Sequence, residues 1–141
     1  MKPTLLILDD DPIITCVITL VANEIGFAAR TTASVAKCLD ALDEPDAQPP
    51  AAMIVDIFMP EGDAFDLLKG MSARESHVPL IVMTGVEPWY LGVIREFAQV
   101  WDIKVLDTLT KPLDHERLAD NLRRLYASLP APHRASRAKR R

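Results

Sequence analysis

Five short, largely apolar runs, each followed by a stretch with helical spacing, constrain this chain more than any other feature. The runs cover residues 4–8, 27–31, 51–55, 79–83 and 104–109, with the lengths and β-branched content of strands. Behind the first run, Ile13, Ile14, Val17, Ile18, Val21 and Ile25 recur at helical spacing, with Asp11 placed as N-cap and Pro12 in the first turn. Val35, Cys38, Leu39 and Leu42 define a second helix capped by Ser34, and Phe65, Leu68 and Met71 a third after Asp63. Residues 88–101 form a fourth helix, and Leu118, Leu122, Leu125 and Leu129 mark a fifth. All 11 prolines fall at the edges of these segments, so they punctuate the pattern without interrupting it. Strict strand–helix alternation, with strands too apolar to face water, predicts an α/β fold: a doubly wound, five-stranded parallel sheet covered on both faces by five helices. The 141 residues suffice for one such domain and exclude a multidomain enzyme.

Charge divides the chain. The net charge is −4, yet Arg134, Arg137, Lys139, Arg140 and Arg141 crowd the end, leaving residues 1–132 with 11 basic and 20 acidic side chains and hence a net −9. The sequence therefore divides into a folded domain over residues 1–129 and a flexible basic tail over 130–141 without apolar period. The tail is expected to be a solvated end; contact with nucleic acid or an acidic membrane is the alternative, and no DNA-reading motif accompanies it. Near the N-terminus the longest uncharged stretch, residues 12–23, falls short of the roughly 20 residues that span a bilayer, so no transmembrane segment is expected. Asp9-Asp10-Asp11 ends the first apolar run before a signal-peptide pattern can form, and a cytoplasmic location follows as the expectation. Cys16 and Cys38 are too few for a disulfide framework or thiolate zinc site and are expected to be small buried residues. His77, His115 and His133 lack metal-ligand spacing and are expected at the surface.

In an open parallel sheet, functional groups collect where loops leave the carboxyl ends of the strands. Directly after the first, third, fourth and fifth runs stand Asp9-Asp10-Asp11, Asp56, Thr84 and Lys111 or its immediate neighbours. Steps of 46, 28 and 27 residues from Asp10 to Asp56 to Thr84 to Lys111 match two, one and one strand–helix units, so all four arrive at one edge. Crowded carboxylates repel one another and favour a hard divalent cation with oxygen ligands, Mg²⁺ in particular. An ammonium and a hydroxyl beside that ion suit phosphoryl oxygens.

These motifs resemble the receiver domains of two-component response regulators. The resemblance covers residues 4–129 and rests on Leu-Ile-Leu-Asp9-Asp10-Asp11-Pro12, Ile-Val-Asp56-Ile-Phe-Met-Pro60, Ile-Val-Met-Thr84-Gly85 and Leu-Thr-Lys111-Pro112, in that order. It implies a flavodoxin-like sheet of strand order 2-1-3-4-5. It further implies that Asp56 takes a phosphoryl group from a sensor histidine kinase or phosphotransfer protein. Asp10 would bind Mg²⁺ directly and Asp9 mainly through water, with Asp56 and the Phe58 backbone carbonyl completing the protein ligands. Thr84 and Lys111 would bind the phosphoryl oxygens. On this reading the chain is a phosphoacceptor and not a turnover enzyme. Its fourth helix, fifth strand and fifth helix would form a homodimer or effector face, and the phosphorylation signal would leave through that surface.

The sequence also departs from the receiver pattern. Thr108 stands where receivers usually carry an aromatic switch residue, and Ala64 where a glycine is usual, with Gly62 nearby. Phe58 and Val86 occupy the two positions that, in receivers, border the line of water attack on the acyl phosphate. The stretches from Thr84 and from Leu106 look most like receivers attached to cyclic-dinucleotide phosphodiesterase outputs. Two rivals remain at this point: a Mg²⁺-dependent haloacid-dehalogenase-like phosphatase built on Asp9-x-Asp11, Thr84 and Lys111, which leaves Asp56 without a role, and a non-phosphorylated pseudo-receiver.

Overall fold

The computed structural model describes residues 2–45, 48–59, 62–85 and 88–130; for residues 58, 59, 62, 63 and 88–91 it describes the backbone alone. The chain runs β1 (Thr4–Leu8), α1 (Pro12–Ile25), β2 (Ala28–Thr32), α2 (Val35–Leu42), β3 (Ala52–Asp56), β4 (Phe58–Met59), β5 (Gly62–Asp63), α3 (Ala64–Ala73), β6 (Leu80–Thr84), α4 (Pro88–Val100), β7 (Val105–Thr110) and α5 (His115–Ser128). Five strands form one sheet in the order β2-β1-β3-β6-β7, every neighbouring pair parallel. Counted along the main sheet this is the order 2-1-3-4-5. The expected strands after the first begin and end about one residue late, because a parallel ladder follows backbone pairing and not side-chain polarity. Asp56 pairs across to Met83 and Thr84 to Thr110, so polar residues close strands that look apolar in the sequence.

Two apolar layers sandwich the sheet. Leu6, Leu8, Met53, Val55, Leu80 and Val82 point toward α2, α3 and α4. Leu5, Ile7, Ile54, Ile81 and Met83 point toward α1 and α5. Period-2 alternation divides each central strand between the two layers, so each needs apolar residues throughout. The helix starts follow their caps: the Ile13 N–H donates to Asp11 Oδ1 at 2.9 Å, the Lys37 N–H to Ser34 Oγ at 3.2 Å, and the Glu116 and Arg117 N–H groups to Asp114 Oδ1 at 3.0 and 3.1 Å. Gly26 ends α1 at φ 130°, a conformation that a side chain disfavours. At Gly70 an added Cβ would lie 2.5 Å from Leu39 Cδ1, so α2 approaches α3 here because that position lacks a side chain.

Three features differ from expectation. Cys16 is exposed while Cys38 is fully buried. Two residues around a helix is 200°, so Cys16 lies opposite Ile18, the residue that meets the core. Helix α1 is apolar around most of its circumference, but the sheet and α5 cover one side only, leaving Ile13 and Leu20 at 72% and 60% exposure. A two-stranded antiparallel ribbon, β4 with β5, follows β3 and had no counterpart in the sequence pattern. Among the described residues no helix is long and apolar enough to cross a membrane. Residues 131–141, most of the basic tail including His133, lie outside the described residues; His77 and His115 are exposed.

Candidate functional site

The carboxyl edge of the sheet gathers the residues that the spacing pointed to. Asp9 follows β1 and is buried, Asp56 closes β3 and is buried, Thr84 closes β6 and is buried, and Lys111 follows β7 and is half-buried. Asp10, next to Asp9, faces solvent. Adjacent parallel strands bring these ends together, and the Lys111 N–H donates to the Thr84 carbonyl at 2.9 Å, extending the β6–β7 ladder by one bond. Carboxylate oxygens of Asp9, Asp10 and Asp56 all lie within 4.8 Å of one another.

Lysine 111 bridges the buried acids. Its Nζ donates to Asp56 Oδ2 at 2.9 Å and stands 2.9 Å from Asp9 Oδ2. The Asp9 contact is a charge pairing without hydrogen-bond alignment, so the buried Oδ2 has no hydrogen bond, whereas Asp9 Oδ1 accepts the Asp11 N–H at 2.9 Å. Burial alone would lower the Lys111 pKa, but Asp56 and Asp9, through contact and charge, outweigh it and hold the ammonium above its ordinary value. One cation thus serves two buried carboxylates with a third beside them. Negative charge remains in excess, with three carboxylates against one ammonium, and a hard cation would relieve their repulsion. The donor set, oxygen only and partly open to solvent at Asp10, fits a small divalent ion.

Phe58 lies in β4, two residues beyond Asp56; its side chain and all of Val86 lie outside the described residues. Gly85, exposed next to Thr84, would place an added Cβ 3.9 Å from Lys111 Cβ, an ordinary contact. Asp11 is the α1 cap and its side chain turns to Ile13. Sequence reasoning missed Asp107. This β7 residue accepts from Arg117 Nε at 2.9 Å and Nη2 at 2.7 Å and from Asn121 Nδ2 at 2.7 Å. Its carboxyl is held well below the usual range, chiefly by the hydrogen bonds from Arg117, with Asn121 and the Thr108 N–H adding to them against burial. The available signal was an acid within an otherwise apolar strand, with Arg117 and Asn121 four residues apart on the facing helix. Thr108, at the place of the usual aromatic residue, accepts from Arg95 of α4 at 3.3 Å.

Fold and edge together define a flavodoxin-like α/β domain whose sheet edge carries three clustered acids, two of them bridged by a lysine. Residues 5–123 match the response regulator receiver domain, and the chain belongs to that family. It is 28% identical over 129 residues to the photosynthetic apparatus regulatory protein RegA of Cereibacter sphaeroides, covering 92% of this chain and 66% of that protein. It is 29% identical over 121 residues to sporulation initiation phosphotransferase F of Bacillus subtilis, covering 80% of this chain and 95% of that protein. Full-length FixJ from B. japonicum superposes with a TM-score of 0.72 at 26% identity, over 90% of this chain and 59% of that one. The Francisella response regulator 1452 receiver domain shares the fold, with a TM-score of 0.72 at 22% identity over 89% of this chain and 98% of that one. The chain spans between 23% and 66% of the length of the regulators RegA, NtrC, RpaA and FixJ. Family membership displaces the haloacid-dehalogenase-like alternative.

Proposed function

We propose that this protein is a phosphoacceptor in a two-component relay, taking a phosphoryl group on Asp56 from the phosphohistidine of a sensor kinase or phosphotransfer protein. The observation that carries the reading is the placement of Asp56: buried, 2.9 Å from the Lys111 ammonium, and within 4.8 Å of the Asp9 and Asp10 carboxylates. A carboxylate oxygen of Asp56 attacks phosphorus, a P–O bond forms, and the P–N bond to the donor imidazole breaks with the electron pair leaving on the ring nitrogen. Lys111 then exchanges its contact with Asp56 for one with a phosphoryl oxygen, and the Thr84 hydroxyl donates to another. Asp9, Asp10, Asp56 and the Phe58 carbonyl would hold Mg²⁺, which when bound supplies positive charge to the phosphoryl oxygens. The phosphoryl group stays on the protein as an acyl phosphate, so the chain acts as an acceptor and not as a turnover enzyme. Its domain spans residues 1–129, with residues 130–141 as a tail.

The test is incubation with Mg²⁺ and acetyl phosphate followed by intact-mass measurement. One added phosphoryl group is expected, dependent on Mg²⁺ and absent in Asp56→Asn. Labelling of another residue, or full labelling of the Asn variant, would overturn the assignment; no labelling under any condition would favour the pseudo-receiver.

A further inference from the structure

Strand β7 departs from regularity at one residue. Val105 pairs with Leu80, but the next rung joins Ile81 to Asp107, so Leu106 has no partner across the ladder. The facing of the side chains follows. Val105 packs in the layer under α2, α3 and α4, whereas Leu106 and Leu109 pack in the layer under α1 and α5. Asp107 also reaches α5, so two consecutive side chains leave the strand on one side, as a β-bulge allows. Alternation then resumes: Thr108 meets Arg95 of α4, Leu109 returns to the α5 side, Thr110 pairs with Thr84, and Lys111 donates to the Thr84 carbonyl.

The register beyond the bulge delivers Lys111 to Asp56. Were the bulge ironed out, Leu106 would face Ile81 and every later residue would advance one position, about 3.3 Å, onto the opposite face of the sheet. Lys111 would overshoot Thr84 and turn away from the acids. Val105 and Leu106 do not forbid that slip, since both are apolar and each layer accepts either. Asp107 does forbid it. Its Oδ1 accepts the Thr108 N–H at 2.8 Å and Arg117 Nη2 at 2.7 Å, and its Oδ2 accepts Arg117 Nε at 2.9 Å and Asn121 Nδ2 at 2.7 Å. Asn121 is itself buried and also donates to the Arg117 carbonyl at 2.9 Å, which fixes it on α5. In the slipped strand the carboxylate would take the place of Thr108 opposite Val82, trading the two-pronged Arg117 contact and the buried Asn121 donor for the exposed side chain of Arg95.

We propose that Asp107, held by Arg117 and Asn121, is a positioning residue that locks the β7 bulge and so sets the register that brings Lys111 to Asp56. The catalytic consequence rests on the phosphoacceptor reading; the register does not. The substitution Asp107→Asn puts an amide NH₂ where one acceptor oxygen faces two donors. The expected result is loss of the Thr84–Thr110 cross-strand contacts in nuclear Overhauser spectra, together with phosphorylation by acetyl phosphate slowed about 100-fold, the scale of a misplaced catalytic group. Gly26→Ala, which strains a remote turn, should leave both readouts unchanged, and Asp107→Asn should slow a Lys111→Ala background no further. Retained Thr84–Thr110 contacts in Asp107→Asn overturn the proposal whatever the rate, as does equal slowing in the Lys111→Ala background. If Asp107→Asn does not fold, Arg117→Gln carries the same measurements with the same expected direction. If the wild type takes no phosphoryl group, the phosphoacceptor reading fails, and the cross-strand contacts still decide the register.

Discussion

The two thiols differ by environment alone. Cys38 is fully buried, and burial pushes its pKa up to about 11 against the opposing hydrogen bond with Thr32, while Cys16 faces solvent. Thiolate is the reactive form, so iodoacetamide at neutral pH should add one label to the folded protein, at Cys16, and two after denaturation. Labelling of Cys38 in the folded chain would contradict its burial. At Asp107 the sign of the pH dependence is set by a lowered pKa in the folded state. Its contribution is complete above the ordinary carboxylate value, near 4, and is lost as pH falls from there toward the folded value. Among the cations that line the groove around it, Lys104, Arg117 and Arg124, it is Arg117 that acts on the carboxylate. Asp107→Asn should lower stability by about 2 kcal/mol at pH 7, with the gap to wild type closing at strongly acid pH; urea unfolding at several pH values measures it. A gap independent of pH would show that the charge is not what stabilises. The sequence positions of Phe58 and Val86 bear on how long the proposed phosphoryl group persists. Neither side chain can orient an attacking water, and a lost positioning contact lowers a rate by about 10²-fold. The acyl phosphate should therefore persist for many minutes to hours, and Phe58→Asn/Val86→Glu should shorten its decay after donor removal. Equal or slower decay in the double variant would refute this.

Helices and strands record how much of the structure could be read in advance. Caps at Asp11 and Ser34 and the five apolar runs located the main elements, because those signals are local: an N-cap acts within three residues and a buried strand shows its apolar content directly. The site was legible for the same reason. Asp9, Asp10, Asp56, Thr84 and Lys111 sit at strand ends, and strand ends are fixed by counting. What stayed hidden depends on which side of an element is covered. Cys16 and Ile13 belong to an α1 surface that neither the sheet nor α5 reaches, and no periodicity distinguishes a covered apolar face from a bare one. The bulge at Leu106 escaped notice because Val105 and Leu106 are both apolar and fit either layer. Gly26, at the end of α1, adopts φ 130°. Gly26→Ala should cost about 1 kcal/mol or more in chemical denaturation with the fold retained, since a methyl group strains that backbone. An unchanged midpoint would mean that the α1–β2 turn relaxes without penalty.

At the scale of the whole molecule, the distribution of apolar and charged surface over α4, β7 and α5 determines how a partner could be engaged. Gly92, Arg95, Glu96 and Gln99 of α4 are exposed, as is Asp102 just beyond its end. Phe97 and Val100 are also exposed, at 41% and 78%; Phe97 packs edge-on to Phe65 of α3, with ring centroids 5.0 Å apart, and tilts against Trp101 at 5.5 Å. Phe97 thus turns apolar surface toward α3. On the face formed by α4, β7 and α5, Arg95 reaches Thr108, and Lys104, Arg117 and Arg124 line the groove around Asp107, so cations stand beside an acid on one surface. If phosphorylation drives self-association through this face, as the family resemblance implies, opposite charges must meet across the pair, and salt must weaken it. The Debye length falls from about 10 Å at 0.1 M to about 3 Å at 1 M, enough to screen exposed pairs. Sedimentation of the beryllofluoride-treated protein should show dimers at low ionic strength that dissociate at high salt, with Arg124→Glu weakening them and Val100→Ser leaving them intact. The opposite pattern, a salt-resistant dimer lost in Val100→Ser, would move the interface to the α3–α4 side, and a monomer under every condition would remove self-association as the route by which the signal leaves the domain.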